Sequence, residues 1–254
     1  MLQVDIAGDG PTLVWGHGLM SSMAQERAHG WFHRVGLPLR LLRYDACGHG
    51  QSARPLDAAR YTWPALATDM LAVACQHAGE RYALGGHSLG CASALLAALR
   101  APQQVSKLVL ATPPAVWQQR AAQQQRYQQM IRVLQKRGLG ALVQTSRRNP
   151  ALPGWLLHTQ PAAAMPQLEA LRDFSSELLI AILQGAMASD LPPPKELAGL
   201  KQPALILAWQ DDPIHPLASA EQLADCLPHA ELRVINSVRE LSHWPQQIAE
   251  FIHQ

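Results

Sequence analysis

The stretch Gly85-Gly86-His87-Ser88-Leu89-Gly90-Cys91-Ala92-Ser93 decides the reading of this chain. It sets a serine midway between two glycines. The apolar run "RYALGGH" (81–87) leads into it, and the small and apolar residues Ala92 to Leu99 follow at helical spacing. A serine at a turn from strand to helix adopts a strained backbone, so the residues two positions to either side must be small, and Gly86 and Gly90 meet that need. The strain holds the hydroxyl above the sheet edge. The helix start adds a positive dipole end and free N–H groups, which suit a developing negative charge.

Working outward, short apolar runs alternate with amphipathic segments, the pattern of a parallel sheet covered by helices on both faces. Candidate strands are 2–7, 12–18, 39–46, 81–87, 106–112, 203–209 and 231–237. Trp63, Leu66, Ala67, Met70 and Ala74 follow helical spacing between two of them. From about Pro113 to Pro194 no strand-like run occurs, Gln and Ala abound, and Tyr127, Met130, Ile131 and Leu134 share a helical face, as do Leu168, Leu171, Leu178 and Ile182 approximately. "TPPAV" and "LPPPKEL" bracket this segment with prolines, which break regular structure. The expected class is therefore α/β: a mostly parallel central sheet of about seven strands flanked by helices, with a core of 1–112 and 195–254 and a helical insertion at 113–194.

Hydrophobic residues make up 48% of the 254 and charged residues 16%, which predicts a generous core and a lightly charged surface. The net charge of +2 is scattered, with no basic block to neutralise a row of phosphates, and argues against a nucleic-acid partner. No positively charged leader, long apolar h-region or membrane-length apolar run occurs, so the expectation is a soluble intracellular protein, cytoplasmic and without a membrane partner. Cys47, Cys75, Cys91 and Cys226 form no CxxC pair and read as free buried thiols. The one helix-spaced histidine pair, His29 and His33, lacks an acidic partner, so no metal is expected.

A serine hydroxyl needs a base within hydrogen-bond reach, and that base needs an acid. "LILAWQDDPIHP" sets Asp211 and Asp212 just past an apolar strand, and "RELSHWPQQ" sets His243 a few residues past the last one. Both fall at the C-terminal ends of strands, the edge that carries Ser88.

These features resemble the α/β-hydrolase superfamily over nearly the whole chain. "VWGHGLM" looks like its oxyanion loop, "RYDACGHGQS" like its Asp-x-x-Gly-x-Gly-x-Ser loop, "GHSLG" like its nucleophile elbow, "DDPIHP" like its acid loop and "SHWP" like its histidine loop. The resemblance implies Ser88 as nucleophile, His243 as general base, Asp212 as acid, and the backbone N–H groups of Leu19 and Leu89 as oxyanion hole, with the helical insertion at 113–194 as a cap. Asp212 is preferred to Asp211 because it stands in the family's Asp-x-x-x-Pro spacing with Pro216. The chain departs from the pattern at Trp209, Ser242 and Cys91, where relatives often carry glycine. His17 and His49 read as loop-shaping residues. His17, His87 and Trp117 are the candidate substrate contacts, each with a competing reading as a residue of local structure or packing. The implied activity is cleavage of a small to medium carboxylic ester through an acyl-enzyme, without metal or cofactor, by a monomer or weak homodimer. A thioesterase, a lactonase or a C–C bond hydrolase would use the same residues. From a different class, a slow-turnover ligand receptor would keep them too.

Overall fold

The computed structural model describes residues 1–28 and 37–254. The seven expected strands are present: β1 (Val4–Ala7), β2 (Thr12–Gly16), β3 (Arg40–Tyr44), β4 (Tyr82–His87), β5 (Val105–Ala111), β6 (Ala204–Trp209) and β7 (Ala230–Ile235). They form one sheet in the order β1-β3-β2-β4-β5-β6-β7, in which β1 alone runs antiparallel to its neighbour.

The central strands bury both faces, as a sheet clad on two sides must. Successive side chains point to opposite faces. Thus Val14, Leu42, Leu84, Leu108 and Ile206 join a cluster with Met70 of α2 (Trp63–His77) and Leu95 of α3 (Leu89–Arg100). Leu13, Leu41, Ala83, Val109 and Leu205 face the other way, against Ile248, Phe251 and Ile252 of the last helix. Truncating a fully buried leucine such as Leu108 would cost about 2–5 kcal/mol.

Remaining helices are α1 (Met23–Ala28), α4 (Arg120–Arg148), α5 (Gly154–Thr159), α6 (Met165–Leu171), α7 (Ser176–Met187), α8 (Pro194–Leu197), α9 (Leu217–Cys226), α10 (Val238–Leu241) and α11 (Trp244–His253). Between β5 and α8 there is no strand, and α4 bends at Gly138, whose φ of 72° lies in the left-handed region that glycine tolerates. Tyr127, Ile131 and Leu134 are buried on one face of α4. Leu168 and Leu171 fall on α6, whereas Leu178 and Ile182 fall on α7, because the Ser175 hydroxyl accepts from the Leu178 N–H and starts a new helix. Arg120 pins the base of this segment: buried, it donates to the carbonyls of Ser189, Ala186 and Ala115 and lies over the Trp63 ring.

Cys47 and Cys91 are buried, Cys226 is half-buried and Cys75 is exposed, which corrects the expectation that all four thiols lie inside. Among the described residues no helix is long and apolar enough to cross a membrane, and no group of three or more metal-ligating side chains occurs. His29 and His33 lie outside the described residues.

Candidate active site

Ser88 follows the last residue of β4 and stands at φ 52°, ψ −106°, a conformation in which a non-glycine residue is strained. Its neighbours permit this by being small. A Cβ on Gly86 would lie 2.4 Å from the Gly90 carbonyl carbon, and one on Gly90 would lie 2.0 Å from the Gly16 oxygen, so three backbones meet here without room for a methyl group. Cys91 lies beneath, fully buried, with its thiol donating to the Gly86 and Ala111 carbonyls at 3.0 and 3.2 Å. Burial raises its pKa well above the ordinary thiol value, so it stays a neutral packing residue.

The imidazole of His215 stands in hydrogen-bond contact with the Ser88 hydroxyl, with Nε2 2.9 Å from Oγ. His215 Nδ1 lies 2.9 Å from Asp212 Oδ2. The Asp212 carboxylate is almost fully buried, and its Oδ1 accepts from the backbone N–H groups of Ile214 and His215 at 2.9 and 3.0 Å. Burial pushes this carboxyl up, but His215 and the two N–H donors outweigh it and hold the pKa below the usual carboxylate range. The carboxylate therefore remains ionised facing the ring.

His243 is not in this arrangement, which corrects the expected place of the imidazole. After β7 the sequence Ser237-Val238-Arg239-Glu240 closes a capping box. The Ser237 hydroxyl donates to the Glu240 carboxylate at 2.6 Å, the Glu240 N–H donates back to Ser237 Oγ at 3.4 Å, and the Asn236 N–H donates to the same carboxylate at 3.3 Å. The chain thus turns helical at once. Leu241 reaches the cavity beside Ser88, while His243, about 200° further round the helical path, is exposed at the start of α11. Asp211 stands next to Asp212 at φ 58°, exposed, with no part in the Ser88 chain of hydrogen bonds.

The loop after β2 carries the candidate oxyanion donor Leu19. His17 Nε2 accepts from the Ala46 N–H at 2.9 Å while its Nδ1 lies 2.8 Å from the Gly18 carbonyl. His49 Nε2 accepts from the Met20 N–H at 3.1 Å and its Nδ1 lies 2.9 Å from the Cys47 carbonyl. Both rings are buried and bonded to backbone at both nitrogens, so His17 shapes the loop and is not a cavity wall. Full burial, with His17 close by, pushes the His49 pKa down to about 3, which keeps its Nε2 an acceptor. Leu89 opens α3, and at this first helical position its N–H has no carbonyl one turn earlier in the helix to donate to.

A cavity of about 1020 Å³ opens over Ser88 between the sheet edge and the helical segment. Tyr127, Met130, Val133, Leu156 and Ile214 give it an apolar wall, and Leu19, His87 and His215 border the serine end. His87 therefore does face the cavity. Its Nδ1 is 3.5 Å from Glu26 Oε1, and its ring centroid is 5.7 Å from that of His215. Trp117 does not line this cavity: its indole donates to the Pro192 carbonyl at 2.9 Å and borders a separate shallow groove.

The residue missed in the sequence is His215. It stands in plain view in "DDPIHP", three positions after Asp212, where a tight turn around a carboxylate brings the next ring back onto it. That spacing signals that the ring can meet the carboxylate, and not that it reaches Ser88.

Comparisons with known proteins agree with the architecture. Residues 12–246 match the family model described as alpha/beta hydrolase fold. RutD of Stutzerimonas stutzeri (strain A1501), which carries the name "Putative carbamate hydrolase", is 28% identical over 235 residues, covering 90% of this chain and 84% of its own. The 3-oxoadipate enol-lactonase 2 of Acinetobacter baylyi is 21% identical over 90% of this chain and 82% of its own. Among solved structures, the enol-lactonase of Burkholderia xenovorans LB400 superposes with a TM-score of 0.79 at 20% identity, over 100% of this chain and 96% of that one. The esterase EaEST of Exiguobacterium antarcticum does so at 0.81 and 19%, over 100% and 96%. With the family match spanning nearly the whole chain, this protein belongs to the alpha/beta hydrolase fold family.

Proposed function

We propose that this protein is a serine hydrolase that cleaves a carboxylic ester through a covalent acyl-enzyme, with Ser88 as nucleophile, His215 as general base and Asp212 as its acid partner. The observation that carries the reading is the unbroken chain from Ser88 Oγ to His215 Nε2 and from His215 Nδ1 to Asp212 Oδ2, each link 2.9 Å. As the serine oxygen bonds the carbonyl carbon, His215 Nε2 takes its proton. The imidazolium so formed faces an ionised carboxylate, which repays part of the cost of charging the ring. The backbone N–H groups of Leu89 and Leu19 receive the oxyanion. His215 then returns the proton to the leaving alcohol, whose bond to carbon breaks, and a water attacks the acyl-enzyme by the same route in reverse. No step needs a metal or an organic cofactor.

The apolar cavity supports a small to medium acyl or alcohol part, and a core of 1–112 and 195–254 under a cap at 113–194 is the domain reading that goes with it. A lactone is the second reading. Two of the similar proteins are named enol-lactonases, and on the same residues the leaving oxygen would stay tethered to the product. The test is release of chromophore from short-chain aryl esters, with the trapped acyl-enzyme weighed intact. Ser88→Ala and His215→Asn are expected to abolish release while His243→Asn retains it. The opposite pattern for the two histidines would overturn the assignment of the base, and slow single turnover in the unaltered protein would favour a receptor.

A further inference from the structure

The loop that carries both Asp212 and His215, residues 210–216 between β6 and α9, is tied within itself by the Asp212 carboxylate, whose Oδ1 takes two N–H donors of the same loop. Its long-range main-chain anchors beyond the sheet come from elsewhere. The Arg126 guanidinium, on α4, donates through Nη1 to the Pro213 carbonyl. The Trp155 indole, on α5, donates through Nε1 to the Gln210 carbonyl at 3.0 Å. Both donors belong to the helical segment, and the carbonyls they hold flank Asp211 and Asp212. Among the described residues Arg126 makes the only hydrogen bond to the main chain of 211–216 from outside that loop and the helix it leads into. Trp155 is itself fixed to the core. Its ring meets Trp209 edge-on at 6.1 Å, and Trp209 stacks on Trp244 at 6.1 Å.

On the reading that Ser88, His215 and Asp212 act together, we propose that Arg126 and Trp155 are positioning residues through which the helical segment sets the placement of the His215 base. The same helices that line the cavity, through Tyr127, Met130, Leu156 and Arg126 itself, hold the loop bearing the base, so the split between kcat and KM is what separates positioning from substrate contact. Displacing those helices moves the Pro213 carbonyl, two residues before His215, and loosens the 2.9 Å contact with Ser88. Filling the cavity with an acyl chain therefore acts on the chemical step as well as on binding. Proton transfer depends on placement to a fraction of an ångström, and a shift of about 1 Å can cost on the order of 10²-fold in rate.

The experiment uses the full chain and p-nitrophenyl acetate, an ester with a two-carbon acyl group, beside esters of longer acyl chain. Arg126→Met and Trp155→Phe are expected to lower kcat about 10- to 100-fold with KM within about twofold, and to slow phosphonylation of Ser88 in parallel. Arg126→Lys, which keeps a charged N–H donor but not the guanidinium plane, recovers a measurable part, as does added methylguanidine with Arg126→Ala. If Arg126→Met fails to fold, Arg126→Lys and Trp155→Phe, which preserve charge and ring packing, carry the comparison. Unchanged kcat and labelling on acetate, with losses confined to the KM of longer esters, would overturn the proposal and leave the segment as a wall only. Full activity in His215→Asn would overturn the underlying reading and this proposal with it, an outcome distinct from an inactive His215→Asn beside unaffected Arg126 and Trp155 variants.

Discussion

His215 Nδ1 lies 2.9 Å from Asp212 Oδ2, three residues earlier on the same loop, so acid and imidazole share one turn of backbone. A pair built so locally has its mutual geometry fixed by the Asp212 turn, and only its distance from Ser88 depends on the rest of the fold. From this arrangement the following expectations arise.

Replacing His215 by Asn is expected to lower kcat on an activated ester by about 10³- to 10⁴-fold, as loss of a triad base does. His243→Asn, on an exposed ring with no part in the hydrogen-bonded chain, is expected to stay within about threefold. Steady-state rates of the two variants side by side decide between the rings.

Asp212→Asn is expected to cost on the order of 10⁴-fold, because an amide no longer stabilises the imidazolium or fixes its tautomer. Asp211→Asn should leave the rate nearly unchanged, since Asn tolerates the positive φ found there and the side chain is exposed. A reversal between the two would show that the neighbouring aspartate carries the role.

The Asp212 carboxyl titrates below its ordinary range in the folded chain, so in mild acid the unfolded chain binds more protons than the folded one. Stability from this group is complete above the unfolded carboxyl value of about 3.9 and is lost as pH falls through the folded one. Asp212→Asn should flatten that part of a curve of unfolding free energy against pH, measured by urea titration.

His49, pushed down to about 3 by burial, behaves with the same sign over a wider window. The unfolded chain takes up a proton at a pH of about 6.5 and the folded chain does not, so stability falls steadily as the pH drops from there toward 3, by up to a few kcal/mol. His49→Gln, which keeps an acceptor for the Met20 N–H, is expected to weaken this slope. Retention of the full slope in that variant would assign it to other groups.

Gly90→Ala is expected to destabilise by several kcal/mol or to move the elbow, since its methyl would stand 2.0 Å from the Gly16 oxygen. Gly138→Ala, with open space around it but φ 72° and ψ −179°, a region nearly reserved to glycine, should cost less, on the order of 1–3 kcal/mol from backbone strain alone. Thermal melts of the two variants provide the contrast.

The sequence by itself determined the sheet, the elbow and the helical nature of the segment at 113–194, because each is written in patterns that act over a few residues. Alternating apolar runs define β2 to β6, two glycines that cannot bear a Cβ flank Ser88, and four-residue spacing marks α4. Tertiary structure alone decided which histidine stands at the serine. Both His215 and His243 lie after strands that end at the same edge, and a motif cannot say which ring reaches Ser88. The path of backbone does: a carboxylate that gathers the N–H groups of its own loop folds His215 inward, while a Ser-x-x-Glu cap winds the other segment into a helix that presents Leu241 to the cavity and turns His243 to solvent.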